Sequence, residues 1–146
     1  MKYRISYFGQ LKNFTSHMMP VSTVAFEQKW FQGKVERMPE LVCPIEIAHQ
    51  LEEKGEMCKK DCPLHAPCAF MTKYKEYLDT LDFDKIMLKL ELLTLKHPAV
   101  DTIVLMVYEK YDVPCAERPV LQAWFKEHGI ELEEWYKPQI KQTNLF

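Results

Sequence analysis

Residues 102–107 read Thr-Ile-Val-Leu-Met-Val, six apolar or β-branched residues with no polar alternation. A strand with one wet face would show polar residues at every second position, so this run predicts a strand buried on both faces. Such a strand belongs at the centre of a parallel sheet, and the other elements must be arranged around it. It also says where function is expected. In open α/β sheets, ligands bind beyond the carboxyl ends of central strands, where loops diverge and helix N-termini direct free N–H groups outward.

The rest of the chain supplies partners for that strand. Residues 3–8 (YRISYF) predict a short first strand, residues 9–14 a turn of helix, and residues 21–25, after Pro20, a second short strand. Residues 28–38 read as a loop that carries Trp30 and Phe31. Helices are expected over 44–54, ended by Gly55, and over 69–80. A third covers 83–96, with Asp82 as its cap and Ile86, Leu90 and Leu93 on one face. His97-Pro98 ends it, because proline disfavours helical geometry in the residue before it. A helix over 119–127 and an edge strand over 130–135 complete the pattern. The expectation is α/β: a three-layer, mostly parallel, Rossmann-like small sheet with helices on both faces. One domain spans 1–138, with a cysteine-rich loop at 57–68 inside it, and 139–146 form a C-terminal tail.

Composition narrows the class of function. At 146 residues and 47% hydrophobic, the chain can bury one core. No stretch approaches the roughly 20 apolar residues of a membrane helix, and no secretory h-region follows Met1, so a cytoplasmic location without membrane partners is expected. A net charge of −2 argues against a protein that coats nucleic acid through charge alone. The charge is uneven, however: residues 1–39 carry +4 and the remainder −6. A positive N-terminal third suits an anionic ligand, though solvation of an exposed surface gives the same asymmetry.

After the apolar run the sequence is Tyr108-Glu109-Lys110-Tyr111-Asp112-Val113-Pro114-Cys115-Ala116-Glu117-Arg118-Pro119. Arg118 is one of three arginines in the chain, and near a helix N-terminus it opposes the helix dipole unless an anion or carboxylate compensates. Cys115 beside the same N-terminus would have its thiolate favoured. Candidate catalytic residues are therefore Glu109 as acid or base, Arg118 as anion holder and Cys115 as a thiol. In the plainer reading, Glu109 or Glu117 only pairs with Arg118 in a solvated turn. Ser6 and Tyr7 end the first strand and would share a mouth with Tyr108, Glu109 and Arg118 if the two strands are parallel neighbours; these three, Ser6, Tyr7 and Tyr108, are candidate ligand contacts.

These segments resemble the domain of unknown function 488 family, small α/β proteins without an established activity. In that family a late buried strand leads into a Tyr-Glu-Lys-like turn, then Cys-His-Arg, then a helix ending in Ala-x-Trp-Leu. Here the corresponding residues are Tyr108-Glu109-Lys110, Cys115-Ala116-Glu117-Arg118 and Gln122-Ala123-Trp124-Phe125. The opening Ile5-Ser6-Tyr7-Phe8-Gly9-Gln10-Leu11-Lys12 is similar to the family's Ser-Tyr-Phe-x-x-Leu-Lys. Pro20-Val21-Ser22, Leu41-Val42-Cys43-Pro44 and Tyr74-Lys75-Glu76-Tyr77-Leu78 also match, so the similarity runs from about residue 3 to 135. Counting back from Trp124 aligns Arg118 with the family arginine, but sets Glu117 at the histidine and Ala116 at the cysteine. A Cys–His nucleophile pair is thus not carried over, and the resemblance favours Glu109 and Arg118 over Cys115.

Five cysteines without an export signal point away from a disulfide framework. Cys58, Cys62, His65 and Cys68 spell C-x3-C-x2-H-x2-C, four soft ligands able to surround one tetrahedral zinc ion. Cys43 in place of His65 gives four thiolates, which suit an iron–sulfur cluster equally well. Without a metal the same cysteines are small core residues.

Two functional readings follow. One is a small enzyme or ligand-binding domain that recognises a nucleotide or other anionic small molecule at the loop 108–118. The other is a non-enzymatic, metal-stapled interaction module, whose aromatic loop around Trp30 and Phe31 engages a protein or nucleic-acid partner.

Overall fold

The computed structural model describes residues 1–54, 68–110 and 116–137. Five strands form one sheet: β1 (Lys2–Tyr7), β2 (Met18–Ser22), β3 (Glu36–Arg37), β4 (Thr102–Val107) and β5 (Glu133–Glu134). Their order is β3-β2-β4-β1-β5, and every pair is parallel. The unbroken apolar run is β4, central and buried at all six positions, as its composition requires. Its register with β1 sets Lys2 opposite Thr102 and Tyr7 opposite Val107.

The second strand begins three residues earlier than expected and passes through Pro20. Proline is tolerated there because β3 reaches only Val21 and Ser22, so Pro20 has a strand on one side only. β3 itself lies inside the segment read as loop; two residues are too few to show a period. The last strand is likewise only Glu133–Glu134, within the expected 130–135.

Four α-helices follow the expected positions: α1 (Ile45–Glu53), α2 (Ala69–Asp79), α3 (Phe83–Leu93) and α4 (Glu117–Glu127). The Asp82 side chain caps α3 by accepting from the Lys85 N–H at 3.3 Å. A 3-10 turn, Thr94–Lys96, replaces the final turn expected of that helix. α4 starts two residues before Pro119, which costs no hydrogen bond, since the first-turn N–H groups have no partner within the helix.

The sheet separates two cores. Ile5, Ile103, Leu105 and Val107 face Tyr74 and Leu78 of α2, Ile86 and Leu90 of α3, and Leu121, Trp124 and Phe125 of α4. Phe83 meets the rings of Trp124 and Phe125 edge-on at 5.0 and 5.5 Å. On the other face Val104 and Met106 pack under Phe8, Val24 and Phe31. Two 3-10 helices, Phe8–Asn13 and Lys29–Phe31, bring Phe8 and Phe31 into a stack with 4.1 Å between centroids. Alpha-helices therefore cover one face and 3-10 helices the other, giving a small Rossmann-like α/β fold. Among the described residues no helix is long and apolar enough to cross a membrane.

Candidate functional site

β1 and β4 are neighbours, yet the chain leaves them toward opposite faces. After Tyr7 it enters the 3-10 helix that packs Phe8 on one face, and after β4 it leads to α4 on the other. The carboxyl ends of adjacent parallel strands with diverging exits are the place where α/β sheets bind ligands. Pleating then sorts the residues that follow β4. Tyr108 turns to the 3-10 face, with its ring 5.1 Å from Phe8 and its hydroxyl donating to the Phe26 carbonyl. Glu109 acts electrostatically on Glu117 and Arg118, at the start of α4.

Arg118 is 2% exposed. Its Nε lies 2.6 Å from Glu134 Oε2 in β5, and its Nη1 donates to the Lys110 carbonyl. The Nε–Glu134 contact is a close ion pair without hydrogen-bond alignment, and Arg118 Nη2 has no hydrogen-bond partner among the described residues. Burial outweighs attraction for both partners: it draws Arg118 down and Glu134 up, each toward its neutral form, while their mutual charge opposes it. The carboxylate that compensates this arginine against the helix dipole is thus Glu134 of β5.

Glu117 is the second residue that sequence reasoning undervalued. Burial, reinforced by the charge of Glu109, pushes its carboxyl up to about 8, so it holds a proton at neutral pH. Its Oε2 is shut off from solvent and unpartnered among the described residues, as is Oε2 of Glu109. Ala116, the residue that precedes α4, has no side-chain acceptor, and no side-chain cap closes the helix N-terminus among the described residues. The start of α4 thus holds a carboxyl oxygen of Glu117 and a guanidinium nitrogen of Arg118 that both lack partners among the described residues. Glu109 adds a carboxylate.

The remaining predicted residues divide. Tyr7 belongs to this neighbourhood, since its phenol acts on Arg118 electrostatically, and it accepts from Gln10 Nε2 at 2.8 Å. Gly9 is needed beside it, because a Cβ there would lie 2.9 Å from the Tyr7 ring. Ser6 is fully buried, and its hydroxyl donates to the Trp135 carbonyl at 2.6 Å, which ties the chain end of β5 to β1. Tyr108 joins the aromatic cluster on the opposite face. Phe31, expected in an exposed aromatic loop, is fully buried in that cluster, whereas Trp30 is half exposed.

Cys115 lies outside the described residues, as do Cys58, Cys62 and His65. Cys43 and Cys68 are described, both half-buried free thiols. Burial and then the charge of Glu117 push the Cys43 thiol up to about 12. Among the described residues no group of three or more His, Cys, Asp or Glu is placed to hold a metal ion.

A hollow of about 340 Å³ lies toward the amino ends of β2 and β3, lined by Met18, Pro20 and Val35 together with Ser16 and Lys34. Glu36 and His97 meet at its rim, Oε1 to Nε2, at 3.0 Å.

No family model matches the chain, and no curated protein or solved structure matches it.

Proposed function

We propose that this chain is a small cytoplasmic enzyme or ligand-binding domain that takes an anionic small molecule, such as a nucleotide, in the crevice beyond β1 and β4. The single observation that carries this reading is that Glu117 Oε2 and Arg118 Nη2, both shut off from solvent at the start of α4, have no hydrogen-bond partner among the described residues. Protonated Glu117, Arg118 Nη2 and the first N–H groups of α4 are all donors, and a carboxylate or phosphate oxygen is the acceptor that satisfies donors so arranged. Glu134 neutralises Arg118 but holds it in place, so it serves as a positioning residue. Glu109, whose charge acts on Glu117, is the acid or base of this reading. The resemblance to the domain of unknown function 488 family supports the same location, because Glu109 and Arg118 fall at matching positions.

Isothermal calorimetry with a panel of nucleotides, phosphates and small carboxylates tests the proposal. At least one panel member should bind wild type, and it should bind Glu109→Gln several-fold more tightly, because a like charge beside the anion is gone. Glu117→Gln keeps a donor and should retain binding, while any turnover is lost. A panel that leaves the folded protein untouched, or binds wild type and Glu109→Gln alike, overturns it.

A further inference from the structure

We infer that the ligand is a nucleoside monophosphate rather than a bare anion, and that its base lies in a hollow beyond the carboxyl ends of β2 and β3. This rests on the anion-binding reading above and names what the anion is joined to. The hollow has a volume of about 400 Å³. Val42, Pro44, Ile45 and Tyr77 wall it, and Arg37 and Cys43 also line it. Ile45, the first residue of α1, is 47% exposed, so this wall keeps apolar surface open to water.

The hollow adjoins the start of α4. The charge of Glu117 acts on Cys43, and the charges of Glu27, Glu117 and Arg37 all act on the Tyr108 phenol. Tyr108 thus stands within reach of both places. Neighbouring strands lie about 4.8 Å apart, and the order is β3-β2-β4-β1-β5, so the ends of β2 and β3 are roughly 10 Å from those of β4 and β1. Arg118 donates to the Lys110 carbonyl just after β4, which sets the anion at that second pair of ends. A ribose joins a phosphate to a base over a distance of that order.

The lining selects a flat ring that donates hydrogen bonds. Arg37 Nη2 donates to the carbonyls of Val24 and Ala25 at 3.3 and 3.4 Å, which holds its guanidinium beside the hollow. A guanidinium plane stacks on aromatic rings. Glu27 Oε1 lies 3.6 Å from Arg37 Nε, beyond hydrogen-bond reach, and is shut off from solvent without a hydrogen-bond partner among the described residues. An N–H group of a base is a donor that satisfies such an acceptor. Burial keeps the Cys43 thiol protonated, so it sets no negative charge against an anionic ligand. Inorganic phosphate would leave both the apolar walls and Glu27 Oε1 unused.

Isothermal calorimetry with inorganic phosphate, ribose 5-phosphate and a set of nucleoside 5′-monophosphates tests this. At least one nucleotide should bind wild type about tenfold or more tighter than ribose 5-phosphate does. Val42→Asn with Ile45→Asn should bring that ratio close to one while ribose 5-phosphate binds as before. Glu27→Ala should lower the same ratio several-fold, whereas Glu109→Gln should tighten both ligands and leave the ratio alone. Thermal melts confirm that each variant is folded. A wild-type ratio near one, or a ratio that the variants at Val42, Ile45 and Glu27 leave unchanged, overturns the base site while the anion site stands. If neither the phosphates nor the nucleotides bind, the anion reading falls and the base site falls with it.

Discussion

Around the start of α4, Arg118, Glu117 and Glu134 carry charge or a proton inside the protein, and several of their polar atoms lack partners among the described residues. At the β3 edge, Glu36 meets His97 at 3.0 Å and Lys96 at 3.8 Å with all three side chains reaching water. Register sets Glu36 and Glu134 level with Leu105 on opposite edges of one sheet, so the contrast is not one of depth along the strands. It lies in what each place does with polarity: the β3 edge leaves its charges solvated, and the start of α4 keeps Arg118 buried with polar atoms unpartnered among the described residues. Proteins rarely leave buried polar atoms unpaired, and where they do, a ligand is one physical reason.

Deleting one carboxylate at each place gives the largest contrast. Glu134→Ala leaves a buried guanidinium without its counter-charge and should destabilise the fold by ~3–5 kcal/mol in urea unfolding. If it costs no more than a surface pair, the two places do not differ as described.

The next effect depends on pH. Glu117 has its folded carboxyl raised from 4.5 to about 8, so the folded state holds a proton that the unfolded chain releases above about 4.5. Its contribution is fully present below pH 4.5 and is lost as pH rises toward 8. Glu117→Gln cannot ionise. It should match wild type near pH 4.5 and exceed it by ~4 kcal/mol at pH 8, measured as a difference of unfolding free energies. A constant difference across that range would place the carboxyl in water.

The smallest effect belongs to the β3 edge. Glu36→Ala breaks two solvated contacts and should cost less than ~1 kcal/mol, a loss that shrinks in salt.

Much of the fold was legible because burial writes a pattern. The run Thr102–Val107 announced the central strand, and the Asp82 cap and the Ile86–Leu90 face announced α3. β3 and the shifted β2 were not legible, since a two-residue strand has no period and a proline within a strand is acceptable only once its neighbour is known. At the site, location was readable and partnership was not. Glu109, Tyr7 and Arg118 gather at the carboxyl ends of β1 and β4 because those strands are adjacent. That Glu117 would be buried could not be read, because a glutamate in the first turn of a helix is ordinarily solvated and favoured by the dipole. Glu134 reaches Arg118 only because β5 pairs with β1, a long-range fact that local sequence does not encode.

The strand order has a consequence for how the chain acquires its structure. β1 is the first strand of the sheet to be synthesised, yet its neighbours are β4 and β5, which begin at Thr102 and Glu133. During translation it therefore waits unpaired until β4 has been made, with Ile5 and its aromatic neighbours open to other chains. Seating β1 closes long loops in the chain, and such non-local pairing slows the search. The last described strand completes both the sheet and the ion pair at Arg118, so the interior charge there is balanced only once β5 has been made.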